Sequence, residues 1–390
     1  MISVAAALEQ LFLLTSPLGT ETVPLNAAAG RILARNAVAR RDQPPFASSA
    51  MDGYAMSDAD VHPGNTVSVI GESAAGHRFH GSVSAGQCVR IFTGAPVPPG
   101  ADRIVIQEDV DRQGDHITLR APLDRADYVR PAGSDFLSGH KLTAPRRLSA
   151  GDIALLAAMN VDQVTVAMRP RVAIMATGDE LVMPGENPSE DQIMASNNFG
   201  LAALVAEHGG QPRLMPIARD TPKSLSMVFG LARDADLIVT IGGASEGDHD
   251  LVAAVAASSG LDRTFYKVAM RPGKPLMAGR MGDAVMVGLP GNAVSAMVCG
   301  TVFLIPVLRA MQGLPAEPMA RKRAQLNAPL AANGPREHYM RAVVDENGIT
   351  ACERQDSALL TVLADANALL IRPPADPPRK TGDIVEYVPS

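Results

Sequence analysis

The apolar positions of the chain repeat with two different periods, and the change of period marks its organisation. Val4, Leu8 and Leu11 recur at helical spacing, which predicts one face of an amphipathic helix. After Gln43-Pro44-Pro45 the repeat shortens, and residues 66–70, 87–92, 103–107 and 116–119 read as strands separated by Gly, Pro and Asp turns. A helical pattern returns over 148–160 behind a Ser149 cap, followed by a strand at 161–166. From Arg171 onward strands and helices alternate. Strands fall at 171–176, 213–217, 237–241 and 265–270, helices at 197–208, 222–233 and 250–257, a hairpin at 275–287, and a long helix after Asn292. Such alternation predicts a mainly parallel sheet covered on both faces, whose ligands sit outside the carboxyl ends of the strands.

The fold class is therefore α/β plus β-rich domains, in an elongated multidomain chain of four parts. Residues 1–45 and 140–169 form a discontinuous helical and linker domain, and 46–139 a β-rich domain inserted into it. Residues 170–312 form the α/β domain, and 313–390, with turn signals at Asn333-Gly334 and Glu346-Asn347-Gly348, a C-terminal β-barrel-like domain. The length of 390 residues, beyond what one hydrophobic core organises, agrees with several domains.

Composition narrows the function. A net charge of -6, a pI near 5.8, aromatics at 4% and no Trp argue against a nucleic-acid partner, which requires a basic groove or stacking platforms. Cys88, Cys299 and Cys352 are odd in number and far apart, so neither a disulfide scaffold nor a zinc ribbon is expected, and a cytoplasmic location fits. The apolar run 293–308 contains Pro306 and falls short of the ~20 residues a bilayer requires, so a buried helix and no membrane partner are expected. The N-terminal apolar stretch has no preceding Lys or Arg and reads as a helix face, not a signal peptide.

Candidate chemistry gathers where the α/β strands end. Thr177-Gly178-Asp179-Glu180 follows the first, Gly242-Gly243-Ala244-Ser245-Glu246-Gly247 leads to Asp250 after the third, and Arg271-Pro272-Gly273-Lys274-Pro275 and Pro290-Gly291-Asn292 follow later ones. Taken singly, Gly242-Gly243 reads equally as a strand end and Asp250 as a helix cap, while for Lys274 a solvated charge is the lesser alternative. Together, four glycine-rich loops on one edge describe an anion site of backbone amides and helix N-termini. Glu180 and Asp250 would repel a phosphate, so their presence beside Lys274 points to a divalent cation, Mg2+, held between them and the ligand.

Six motifs taken in order resemble one family. They are Ser49-Ala50-Met51-Asp52-Gly53-Tyr54-Ala55, Thr93-Gly94-Ala95-Pro96-Val97-Pro98, Arg130-Pro131-Ala132-Gly133-Ser134-Asp135, Thr177-Gly178-Asp179-Glu180-Leu181, Arg271-Pro272-Gly273-Lys274-Pro275 and Gly288-Leu289-Pro290-Gly291-Asn292. The chain resembles the molybdopterin molybdenumtransferase family, which includes bacterial MoeA and the E domain of gephyrin. The resemblance implies a molybdopterin-binding α/β domain, a homodimer with a shared cleft, and insertion of molybdate into adenylylated molybdopterin with Mg2+-dependent release of AMP. It implies that Arg271, Lys274, Arg341 and Ser357 receive the molybdate dianion, that Glu180 and Asp250 hold the metal, and that Asp52, Thr93 and Asp135 line the opposite wall. A contact with molybdopterin adenylyltransferase belongs to the same expectation. The chain departs from the family pattern in having Glu246 in the glycine loop, Arg271 in place of Lys, Ala293 after Gly291-Asn292, and Gln355-Asp356-Ser357-Ala358 near the C-terminus. Two other readings stand beside it: adenylylation of molybdopterin, and a non-catalytic dimeric scaffold.

Overall fold

The computed structural model describes residues 1–243 and 251–390. The chain divides into two compact units. Met1–Glu21, Gly30–Ala34 and Val166–Ser390 form the first, and Thr22–Ala29 with Arg35–Thr165 the second.

The first unit is built on a six-stranded sheet of β1 (Arg171–Ala176), β2 (Gln211–Leu214), β3 (Leu237–Ile241), β4 (Leu261–Tyr266), β5 (Met277–Met281) and β6 (Ala284–Leu289), in the order β2-β1-β3-β6-β5-β4. Strands β2, β1, β3 and β6 run parallel, whereas β5 returns antiparallel to β6 and β4 antiparallel to β5, so the sheet is mixed. Alternate residues of each strand bury on opposite faces, as the two-residue period of a strand requires. Val172, Ile174, Leu237 and Val239 face one core, and Ala173, Met175, Ile238 and Met286 face another. Each fully buried aliphatic side chain of this kind contributes about 1.5–3 kcal/mol.

Helices complete both cores. On the first face lie α1 (Val4–Leu14), α2 (Ser196–Glu207), α5 (Ala293–Cys299) and α6 (Ile305–Met311), and on the second α3 (Pro222–Leu231) and α4 (Leu251–Ser258). Ser3 caps α1 by accepting from the Ala6 amide at 3.1 Å. The buried face of α1, Val4, Ala7, Leu8 and Leu11, joins the α/β core, although the sequence grouped this helix with residues 140–169. Its apolar stripe has the larger core available there, and Arg280 Nη2 donates to the Leu14 carbonyl at its end, 2.5 Å away.

Helices α5 and α6 form one continuous run, Ala293–Met311, joined by a π-helical stretch at Gly300–Leu304. Pro306 therefore falls in the first turn of α6, where its missing N–H breaks no regular α-helical bond. The run is long and apolar enough to cross a bilayer by length and composition, but 89% of it is buried inside the fold, as in a core helix.

The strand expected at 265–270 ends instead at Tyr266, because Lys267 adopts a positive φ of 69° and turns the chain away. The next extended pair, Met270–Arg271, leaves the α/β sheet and pairs parallel with Glu337 and His338 of the C-terminal sheet. Besides that pair the sheet comprises Lys322–Gln325, Glu337–Asp345, Gly348–Ala351, Ala368–Arg372 and Ile384–Pro389, whose ladders are antiparallel, and a parallel bridge from Leu326, just past the first of these, to Ile349 links it to the third. Arg271 is thereby fixed directly beside His338.

The second unit holds a six-stranded sheet ordered Arg103–Ile106, Gly53–Met56, Gln87–Ile91, Thr66–Ser73, His116–Leu119 and Val110–Gln113. Tyr54, Met56, Val67, Cys88, Ile117 and Leu119 form its core. Burial pushes the Cys88 thiol up to about 12, leaving it an inert apolar filler. Helix Ala150–Ala158 starts in a capping box, in which the Ser149 hydroxyl accepts from the Asp152 amide and the Asp152 carboxylate accepts from the Ser149 amide.

Candidate active site

Three parallel strands deliver their loops to one edge of the α/β sheet. The Thr177 amide donates to the Ile241 carbonyl at 3.0 Å and the Gly242 amide to the Leu289 carbonyl at 3.1 Å, so the loops after β1, β3 and β6 are laced together. Asn197, in the first turn of α2, adds a bond from Nδ2 to the Gly291 carbonyl at 2.8 Å. Gly242 and Gly243 both have positive φ, 90° and 68°. A Cβ on Gly243 would lie 2.0 Å from Val252 Cγ2, so only glycine allows α4 to start this close to the turn. Over these loops opens a cavity of about 1090 Å³, lined among others by Gly178, Glu180, Asn197, Asn198, Asp220, Gly242, Gly243, Gly291 and Asn292. That is the volume class of a site for a sizeable organic ligand.

One wall is acidic. Glu180 lines the cavity with its carboxylate folded over Gly178, where a Cβ would sit 2.4 Å from Oε2. Facing it is Asp220, whose carboxyl is held above its ordinary range by burial first, then by the charges of Asp179 and Glu180. The wall is braced by Arg219, whose Nη1 donates to the carbonyls of Asp179 at 2.9 Å and Leu181 at 3.1 Å. Neither Asp220 nor Arg219 was singled out from the sequence. Both lie in the loop after β2, where an acid follows a strand without the glycine that marks the other strand ends. Ser245 and Asp250 lie outside the described residues.

A second group of expected residues gathers beside the C-terminal sheet, and it is basic. Arg341 is fully buried. Its Nη2 donates to the Asp356 carbonyl at 2.9 Å, while Nε and Nη1 meet no acceptor among the described residues. Burial, reinforced by Arg271, lowers the affinity of this guanidinium for its proton, although Cys352 and Asp356 oppose the shift. His338 is pushed down to about 4 by burial and by the charges of Arg271, Arg341, Arg372 and Arg336, so it is neutral at pH 7. Arg372 is equally buried but pairs with Asp376, leaving Arg341 the less compensated of the two. The group reaches the cavity through the chain itself. Two residues connect them: Ser357, next to Asp356, accepts at Oγ from Asn292 Nδ2 at 3.1 Å, and Ala358 lines the cavity. Gly273 has φ 110°, and a Cβ there would lie 2.4 Å from Cys299 Sγ, which packs the 271–275 loop onto α5. Lys274 and Pro275 are half-buried in that loop and do not line the cavity.

The remaining expected residues lie in the second unit. Asp52 accepts from the Thr93 amide at 2.7 Å and the Thr93 hydroxyl at 2.8 Å. These two bonds, with a smaller contribution from Arg90, hold its carboxyl below the usual carboxylate range. Arg90 lies over the rings of Tyr54 and Phe92, at 5.1 and 4.6 Å, and donates to the Gly53 carbonyl at 3.0 Å, so the Asp52-Gly53 turn is firmly placed. Asp135 sits in a different loop, its amide donating to the Gln43 carbonyl at 2.9 Å, and it joins neither Asp52 nor Thr93 by a hydrogen bond among the described residues.

Comparison with known proteins covers nearly the whole chain. Residues 2–160 match the MoeA N-terminal region (domain I and II), 173–310 a probable molybdopterin binding domain, and 323–390 the MoeA C-terminal region (domain IV). A molybdopterin molybdenumtransferase of Nostoc sp. is 38% identical over 339 residues, 84% of this chain and 78% of that protein. Molybdopterin molybdenumtransferase 2 of Mycobacterium tuberculosis is 35% identical over 363 residues, 90% of each. The crystal structure of a molybdopterin biosynthesis moeA protein from Pyrococcus horikoshii OT3 superposes with a TM-score of 0.85 at 25% identity, covering 100% of both chains.

Proposed function

The chain belongs to the molybdopterin molybdenumtransferase (MoeA) family, and on that premise we propose that it inserts molybdate into adenylylated molybdopterin with release of AMP. The observation that carries the reading is Arg341, a buried cation with two guanidinium N–H groups that meet no acceptor among the described residues. Such a group is costly to bury unless an anion completes it, and a compact oxyanion such as molybdate matches the guanidinium fork. Arg271 adds charge from the adjacent strand, and Ser357 and Asn292 supply hydrogen-bonding groups at the cavity's edge.

The phosphate groups of the substrate fit the other side. Gly243 places a turn with no side chain against the cavity, and the start of α2, lining the same space at Ser196, Asn197 and Asn198, sets the positive end of a helix there. Asp179, Glu180 and Asp220 crowd one another, and the guanidinium beside them, Arg219, is engaged by backbone carbonyls, so this wall fits a divalent ion. Glu180 and Asp220 are the carboxylates that the described residues bring to the cavity. No cluster of three His, Cys, Asp or Glu able to hold a metal forms among the described residues, so Asp250, water or the phosphates themselves would complete the shell. When bound, Mg2+ supplies charge neutralisation at the phosphoanhydride. The chain's own groups would orient the anhydride, with Arg341 and Arg271 on the side of the oxyanion and Glu180 on the side of the cation.

We assign Lys274 and Pro275 to positioning the 271–275 loop, and Asp52, Thr93 and Asp135 to a site completed in a homodimer. Matches to both flanking family regions support insertion over adenylyl transfer or a scaffold role. The test is AMP release from adenylylated molybdopterin with and without molybdate. Release that requires molybdate supports the reading, and formation of pyrophosphate from molybdopterin and ATP would replace it with adenylyl transfer.

A further inference from the structure

The first turn of α2 carries a feature that the acid wall, the glycine turn and the arginine group leave unexplained. Asn198, Leu201 and Val205 form the buried stripe of this helix. Leu201 and Val205 enter the apolar core, but Asn198, at the end of the stripe nearest the loops, lines the cavity. It is 1% exposed, and its Oδ1 meets no donor among the described residues. Its neighbour Asn197 shows the same deficit with its orientation fixed. Asn197 Nδ2 donates to the Gly291 carbonyl, so the buried end left without a partner is the acceptor Oδ1. Burying an amide acceptor without a donor costs about 1–3 kcal/mol, and an apolar residue at 198 would continue the stripe without that cost.

Asn197 Oδ1 asks for a donor, and the Asn198 side-chain amide, held by no hydrogen bond among the described residues, is free to turn its own oxygen toward the cavity it lines. Phosphate and molybdate have none to give, so neither anion satisfies this turn. Beside it on the cavity wall stand Ile193 and Met194, apolar side chains 58% and 37% exposed, which suit the face of a flat ring. The first turn of α2 has no acidic residue and its N-cap, Ala195, offers no side-chain cap.

We infer that Asn198, with Asn197 beside it, reads the N–H edge of an amino-substituted nitrogen heterocycle and is a specificity-determining residue of the cavity. The inference rests on the proposed substrate, which contains two such rings, the pterin and the adenine. Both present an exocyclic amine, and the ring lies with its face on Ile193 and Met194 and its amine toward the two amide oxygens.

The experiment measures binding of adenylylated molybdopterin, molybdopterin and AMP to the full chain, without molybdate, for the wild type, Asn198→Ala and Asn198→Leu. Both variants should bind adenylylated molybdopterin about 10- to 100-fold more weakly. The same loss with molybdopterin assigns the pterin, and with AMP the adenine. Melting temperature separates this from a structural role, because an amide completed only by ligand can be removed without lowering the stability of the free protein. Unchanged binding of all three probes by both variants overturns the inference, and so does a drop of several degrees in the melting temperature of free Asn198→Ala. If wild type turns over and the variants bind as it does, the inference falls while the proposed function stands. A wild type that neither binds nor turns over adenylylated molybdopterin removes both.

Discussion

Two clusters of like charge in the first unit make an instructive contrast. Asp179, Glu180 and Asp220 come together from the loops after two neighbouring strands, β1 and β2, at a solvated edge of the α/β sheet. Arg271, His338, Arg341 and Arg372 come together from three segments spread over residues 271–372, within and beside the C-terminal sheet. In the acid cluster, burial first and then the neighbouring charges raise the proton affinity of Asp220. In the basic cluster an arginine cannot readily discharge, so the relief falls on His338, which stays neutral, and on Asp376, which pairs with Arg372 but not with Arg341. The lesson is that each cluster is compensated only in part from within, and the missing charge has opposite sign in the two: a cation for one, an oxyanion for the other.

Substitutions should break the contrast in order of size. Glu180→Gln, which keeps shape and removes charge, is expected to lower AMP release by about 100-fold or more, and the magnesium titration should show it. Arg341→Lys keeps the charge but loses the planar fork and its two spare N–H groups, so half-saturating molybdate should rise about 10- to 100-fold with circular dichroism unchanged.

Smaller effects sharpen the comparison through pH. Because the Asp220 carboxyl is raised in the folded state, its contribution to stability is fully present below the ordinary value of 3.8 and is lost as pH rises through the folded pKa. Asp220→Asn should therefore melt no lower than the wild type at pH 7, and any gain should vanish in acid. His338 has the opposite sign. With its pKa depressed from 6.5 to about 4, its contribution is present above pH 6.5 and fades as pH falls toward 4. The melting temperature of His338→Gln should fall less than that of the wild type across that window, and parallel curves would show that the histidine is not strained by its arginines.

The difference between the clusters also explains what the sequence could reveal. Glu180 and the glycine turns were legible because a strand followed by glycine and an acid is a local pattern, and Arg171–Ala176 and Leu237–Ile241 are runs apolar enough to be recognised as buried strands. Asp220 escaped although a strand was expected at 213–217, because the loop after it, Met215 to Asp220, carries no glycine beside its acid. Arg341 and Ser357 were reached only through resemblance, since nothing local marks an arginine as buried or a serine as facing Asn292. The placement of α1 in the α/β core was likewise invisible, because its stripe states that it packs but not against what.

The central claim is a division of labour between the two clusters, and crossed titrations test it most directly. AMP release from adenylylated molybdopterin is measured against molybdate at saturating magnesium, and against magnesium at saturating molybdate, for the wild type, Glu180→Gln and Arg341→Lys. The account predicts that Arg341→Lys shifts only the molybdate curve and Glu180→Gln only the magnesium curve. Equal shifts of both curves in both variants would contradict it, and would mean that the two clusters act as one site.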